Sequence, residues 1–96
     1  MGIIMRLIDV IRDLEVFENE GIICATEPWT EDSKAIVVVE NEARQLPAEA
    51  AKFGMEYFVE VFVAREFLQD WRANLDRPPT LVEKCARLIQ YAINDA

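Results

Sequence analysis

Two consecutive prolines, Pro78 and Pro79, constrain this chain more than any other feature, because they divide its last forty residues in two. A proline disfavours the helical conformation in the residue before it and supplies no amide donor, so no regular helix runs through this point. Beyond it, Leu81, Val82, Cys85, Leu88, Ile89, Ala92 and Ile93 recur at spacings of three and four. That pattern predicts a helix from Leu81 to about Asn94 with one apolar stripe. Thr80 and Glu83 stand three apart at its start, the spacing of a capping box, in which each side chain bonds the other's backbone amide. Before the prolines, Tyr57, Val61, Ala64, Leu68, Trp71 and Leu75 fall on one helical face with no turn residue between them. This predicts a single helix, about 28 Å long, and a C-terminal helical hairpin hinged at Arg77–Thr80. The run Tyr57–Val63 is rich in aromatic and β-branched residues, so a strand remains its alternative.

Upstream, Ile4, Leu7, Ile8, Ile11 and Leu14 predict an opening helix over Ile4–Phe17, with Arg6, Asp9, Arg12 and Asp13 on its outer side. Gly21 suits the left-handed position that ends such a helix. Ile22–Thr26 and Ala35–Glu40 read as strands, and Ile36–Val39, apolar without alternation, predicts cover on both faces. Pro47–Phe53 reads as a short helix ended by Gly54. With 52% hydrophobic residues in 96, the chain can fill a core, and a single domain over 1–96 follows. The fold class is α+β: three or four helices on a small antiparallel sheet.

Charge is unevenly placed. The net charge is −8, and between Glu15 and Glu42 eight acids face Lys34 alone, whereas residues 61–96 hold five acids and five bases. Nucleic-acid binding needs clustered Lys and Arg and is not expected. The absence of histidine excludes His-based catalysis and most transition-metal sites, and the isolated glycines form no phosphate cradle. No cofactor or metal is expected, since Glu31-Asp32-Ser33 lacks the spacing of a calcium loop. Cys24 and Cys85 read as small core residues in a reducing compartment. The absence of a basic leader and of a span of ~18 apolar residues points to the cytoplasm, with no membrane partner. Glu56 with Glu60, and Glu66 with Asp70, would be neighbours on a helix, and Glu60 would need Arg65 or Arg44 to stay charged in its apolar setting. An enzyme would have to use Glu60 or the cysteines, so enzymatic activity is not expected.

Trp29 stands among acids in the loop between the two strands, where it either covers the core or anchors a partner. Glu18, Glu20, Glu27, Trp29, Glu31, Asp32, Glu40 and Glu42 are the candidate partner-binding residues for a basic protein. The stretch from Asn74-Leu75-Asp76-Arg77-Pro78-Pro79-Thr80-Leu81 to Asn94-Asp95-Ala96 resembles the tail of a family of small bacterial proteins. With its size and acidity, the whole chain is similar to immunity proteins of contact-dependent toxin systems. That resemblance implies an inhibitor whose partner is a toxin, such as a nuclease domain; it assigns no site residue. The alternative is a structural or regulatory homodimer, which would cover the apolar surface of Tyr57–Phe67.

Overall fold

The computed structural model describes residues 3–39 and 53–95. A two-residue strand β1 (Met5–Arg6) leads into helix α1 (Leu7–Arg12) and a 3-10 turn (Leu14–Val16). Strands β2 (Gly21–Thr26), β3 (Lys34–Val39) and β4 (Met55–Glu60) follow, then helices α2 (Val61–Ala73) and α3 (Leu81–Asp95). The four strands form one antiparallel sheet in the order β1-β3-β2-β4. The fold is α+β.

The described helices lie on one face of this sheet. Leu7, Val10, Ile11 and Leu14 join Ile23, Ala25, Ala35, Phe58, Val61, Leu68, Cys85 and Leu88 in one buried cluster. The other face of the sheet carries Ile22, Cys24, Ile36, Val38 and Met55, all buried. Alternate residues of β2 and β3 thus serve opposite cores, which is why Ile36–Val38 shows no polar alternation; Val39, expected to be covered as well, is half exposed. Among the described residues no helix is long and apolar enough to cross a membrane.

Three expectations are corrected. The segment Tyr57–Leu75 is not one helix: β4 occupies it through Glu60 and the helix begins at Val61. β4 pairs with β2 as Ile23↔Val59 and Cys24↔Tyr57, so Phe58 is the extra residue of a bulge. Glu56 and Glu60 therefore lie along a strand and are not neighbours on a helix. The opening helix is shorter than its stripe, because residues 5 and 6 pair with β3 and the amides of Leu7 and Ile8 donate to the carbonyls of Ser33 (2.8 Å) and Glu31 (3.0 Å). Gly21 opens β2 and ends no helix. A Cβ there would meet Glu18 O, Val37 Cγ1 and Val61 Cγ2, each at 3.0 Å, so close approach demands the glycine. The left-handed conformation falls instead to Gly54, at φ 71°, just before β4. The helix expected over Pro47–Phe53 lies largely outside the described residues, as does Arg44.

The start of α3 is built as its sequence implies. The Thr80 amide donates to Glu83 Oε1 (2.8 Å) and the Glu83 amide to Thr80 Oγ1 (3.2 Å). Arg77 closes on the same carboxylate with two bonds of 2.9 and 2.7 Å. Those bonds, with the Thr80 amide, hold the Glu83 carboxyl at about 2. Further along, Phe67 of α2 stacks on Tyr91 of α3 with centroids 4.3 Å apart.

Candidate functional site

The loop joining β2 to β3 is held by its own short polar side chains. Ser33, buried although polar, accepts the Thr30 amide at 2.8 Å and donates to the Pro28 carbonyl at 3.3 Å. Thr30 Oγ1 accepts the Asp32 amide, and Thr26 Oγ1 accepts the Lys34 amide, both at 3.2 Å. The Glu27–Pro28 peptide is cis. These contacts are the hydroxyl-to-backbone bonds by which Ser and Thr fix turns. The loop carbonyls of Glu31 and Ser33 in turn accept the first amides of α1.

Trp29 is half-buried in this loop. Its ring meets Phe58 edge-on, with centroids 4.9 Å apart at 86°, and its Nε1–H donates to the Ala25 carbonyl at 3.2 Å. The ring therefore covers the core with one side. It also lines a cleft of about 210 Å³ with Tyr57, Phe58, Val63 and Tyr91. Glu27, Glu31 and Asp32 stand exposed on the same loop. Asp32 pairs with Arg6 at 3.2 Å; Arg6 also pairs with Asp9, and Arg12 bridges Asp9 and Asp13. Hydrogen bonding from Arg6, reinforced by Arg12, holds the Asp9 carboxyl below its ordinary range.

The candidate residues do not all share one place. Glu18 and Glu20, both exposed, precede β2, whereas Glu27, Trp29, Glu31 and Asp32 follow it. A six-residue strand separates the two groups by roughly 17 Å. Glu40 and Glu42 lie outside the described residues.

Sequence reasoning missed Ser33 as the hub of the loop, although its spacing of three from Thr30 is a turn signature. It also missed the cleft, because Trp29, Tyr57 and Tyr91 meet only through the sheet and the helix packing.

The two cysteines are not poised for covalent chemistry. Burial pushes the thiols of Cys24 and Cys85 up to about 11, so both are protonated at neutral pH, and they belong to cores on opposite faces of the sheet. Arg65 does not pair with Glu60, since its guanidinium bonds the carbonyls of Leu14 and Phe17 and the Asn19 side chain. Among the described residues no three His, Cys, Asp or Glu side chains gather as a metal site. No protein-family model, curated protein or solved structure matches the chain.

Proposed function

We propose that the protein is a non-enzymatic inhibitory binding protein of the toxin-immunity type, acting in the cytoplasm by docking an acidic face onto a basic protein. One observation carries this reading: Glu27, Glu31 and Asp32 are presented on a loop whose shape Ser33 and Trp29 have already fixed. A preordered loop loses little entropy on binding, and its charge steers a cationic partner. The cleft beside Trp29 has the size and aromatic lining to take one basic side chain of that partner. In this reading α2 and α3 act as a helical hairpin, the electrically balanced half that supports the loop from behind. Glu18 and Glu20 widen the footprint at the far end of β2, and Glu40 and Glu42, outside the described residues, complete the proposed set.

The partner expected is a basic toxin encoded beside this chain. Copurification of the two proteins, weakening as salt is raised, is the expected result. Replacing Glu27 and Glu31 together by Lys should lower affinity by about tenfold or more. Binding that survived this reversal would show the face to be misassigned. A second reading, a homodimer, has support in the exposure of Phe53, Tyr57 and Phe62, each near half. Sedimentation as an obligate dimer, undone by Phe62→Glu, would favour it.

A further inference from the structure

The cleft beside Trp29 stands at one end of a row of aromatic rings. Phe67 stacks on Tyr91, and the Arg87 guanidinium lies over the Phe67 ring, 5.4 Å from its centroid. A guanidinium of this chain thus covers the Phe67 end of the row. At the other end Tyr91 lines the cleft with Trp29, Tyr57 and Phe58. Phe58 is buried, so the surface offered is that of Tyr57, 52% exposed, and of Trp29 and Tyr91, both partly exposed. Two exposed carboxylates flank these rings. Glu27 precedes the cis Pro28 that leads into Trp29, and Glu56 stands in register with Ala25, whose carbonyl holds the Trp29 indole. Met55 belongs to the core on the far face of the sheet, so strand alternation puts Glu56 on the side of Phe58 and Trp29. Among the described residues neither Glu27 nor Glu56 is in an ion pair, whereas Asp32 is paired with Arg6.

We infer, resting on the reading of an acidic face for a basic protein, that this cleft receives one arginine of that partner. Its guanidinium lies against Trp29, Tyr57 and Tyr91, and its N–H groups donate to Glu27 and Glu56. A guanidinium is planar and weakly hydrated, and it stacks on aromatic faces while keeping donors at its edge for carboxylates. Arg87 on Phe67 shows the first half of that arrangement in the same row of rings. A lysine ammonium is compact and strongly hydrated, so it gains less from the rings. The volume of about 210 Å³ suits one side chain rather than a helix. A second copy of this chain is the poorer occupant, since two bodies of charge −8 repel each other.

The test is titration of the full, isotope-labelled chain with the peptide acetyl-Gly-Arg-Gly-amide, followed by NMR. Comparison peptides carry lysine, citrulline (the same plane without the charge) or norleucine in place of the arginine. Saturable shifts are expected at the Trp29 indole N–H and the Tyr91 amide. Arginine should bind at least about threefold tighter than lysine and about tenfold tighter than citrulline or norleucine. Glu27→Gln with Glu56→Gln should weaken it by about fivefold or more and leave the melting temperature near its starting value. Glu15→Gln, across α2 from the cleft, should change nothing. The inference is overturned if the arginine peptide does not saturate, if lysine or citrulline binds equally, if the shifts miss Trp29 and Tyr91, or if Glu15→Gln weakens binding as much. The two readings fail separately. A basic partner that copurifies while the peptide does not bind removes the arginine pocket alone. A peptide that binds as expected, with no basic partner found, removes the toxin reading and leaves the pocket.

Discussion

The acidic loop and the groove lined by Arg12, Arg65, Arg72 and Lys84 are assembled in opposite ways. The loop is local: Thr26, Thr30 and Ser33 hold neighbouring backbone, and its carboxylates need only point outward. The groove is collective, with a wall that draws on residues from position 11 to position 84. The charge of a segment describes a surface only where the segment is itself that surface. Residues 61–96 balance five acids against five bases, yet Arg77 is cancelled by Glu83 while Arg65, Arg72 and Lys84 converge on one groove. A neutral sum conceals a cluster of cations.

The sharpest way to break the comparison is through Arg65, which ties α2 to the turn after α1 by bonding two carbonyls and Asn19. Arg65→Met keeps much of the apolar stem and leaves those acceptors without a charged donor. Such bonds are worth ~1.5–3 kcal/mol each in their setting, and stability should fall by about 3 kcal/mol in urea titration. Amide exchange should quicken from Phe17 to Gly21 while the loop from Glu27 to Ser33 keeps its protection. A loss under ~1 kcal/mol would mean that the turn holds itself. Next in size is Ser33→Ala, which strands the Thr30 amide and removes the donor to Pro28, at a cost of about 1–2 kcal/mol. Here the loop should loosen and the groove stay intact, the mirror image of the first result.

The same contrast explains what the sequence disclosed. Capping at Thr80, strands β2 and β3, and the cover on both faces of Ile36–Val38 were legible because each rests on residues adjacent in the chain or on simple periodicity. β4 was misread for a specific reason. The bulge at Phe58 sends Phe58 and Val59 to the same core in succession, which erases the alternation that marks a strand. Tyr57 and Val61 then mimic a helical spacing. The first turn of α1 was misplaced because its amide partners, the carbonyls of Ser33 and Glu31, lie more than twenty residues away. Of the acidic site, the exposed carboxylates were legible and the cleft was not, since Trp29, Tyr57 and Tyr91 are brought together by tertiary packing.

A smaller effect comes from the cap of α3, four residues before Lys84. Thr80→Ala removes the acceptor for the Glu83 amide and should cost about 1 kcal/mol. Acid should act on the same box. The folded carboxyl of Glu83 sits at about 2 against an ordinary 4.5, so its contribution to stability is complete above 4.5 and is lost as pH falls toward 2. Loop-mediated binding in Thr80→Ala should stay unchanged. The acid sensitivity between pH 4.5 and 2 should shrink in Glu83→Gln, read as a flatter dependence of the urea midpoint on pH.

The smallest stability effect is expected where the binding effect is largest among surface changes. Glu27 and Glu31 are exposed, and it is the hydroxyls and Trp29 that fix the loop around them; the Glu31 carbonyl, not its carboxylate, receives the Ile8 amide. Replacing both by Lys takes the net charge from −8 to −4 without removing a hydrogen bond in which either side chain takes part. Stability should therefore move by less than ~0.5 kcal/mol. The sign is also fixed. Lower net charge means weaker self-repulsion, so any shift at low salt is toward greater stability, and it should vanish once salt shortens the screening length to a few ångströms. A marked loss of stability would show the carboxylates to be structural, and the loop would then be as collective a construction as the groove.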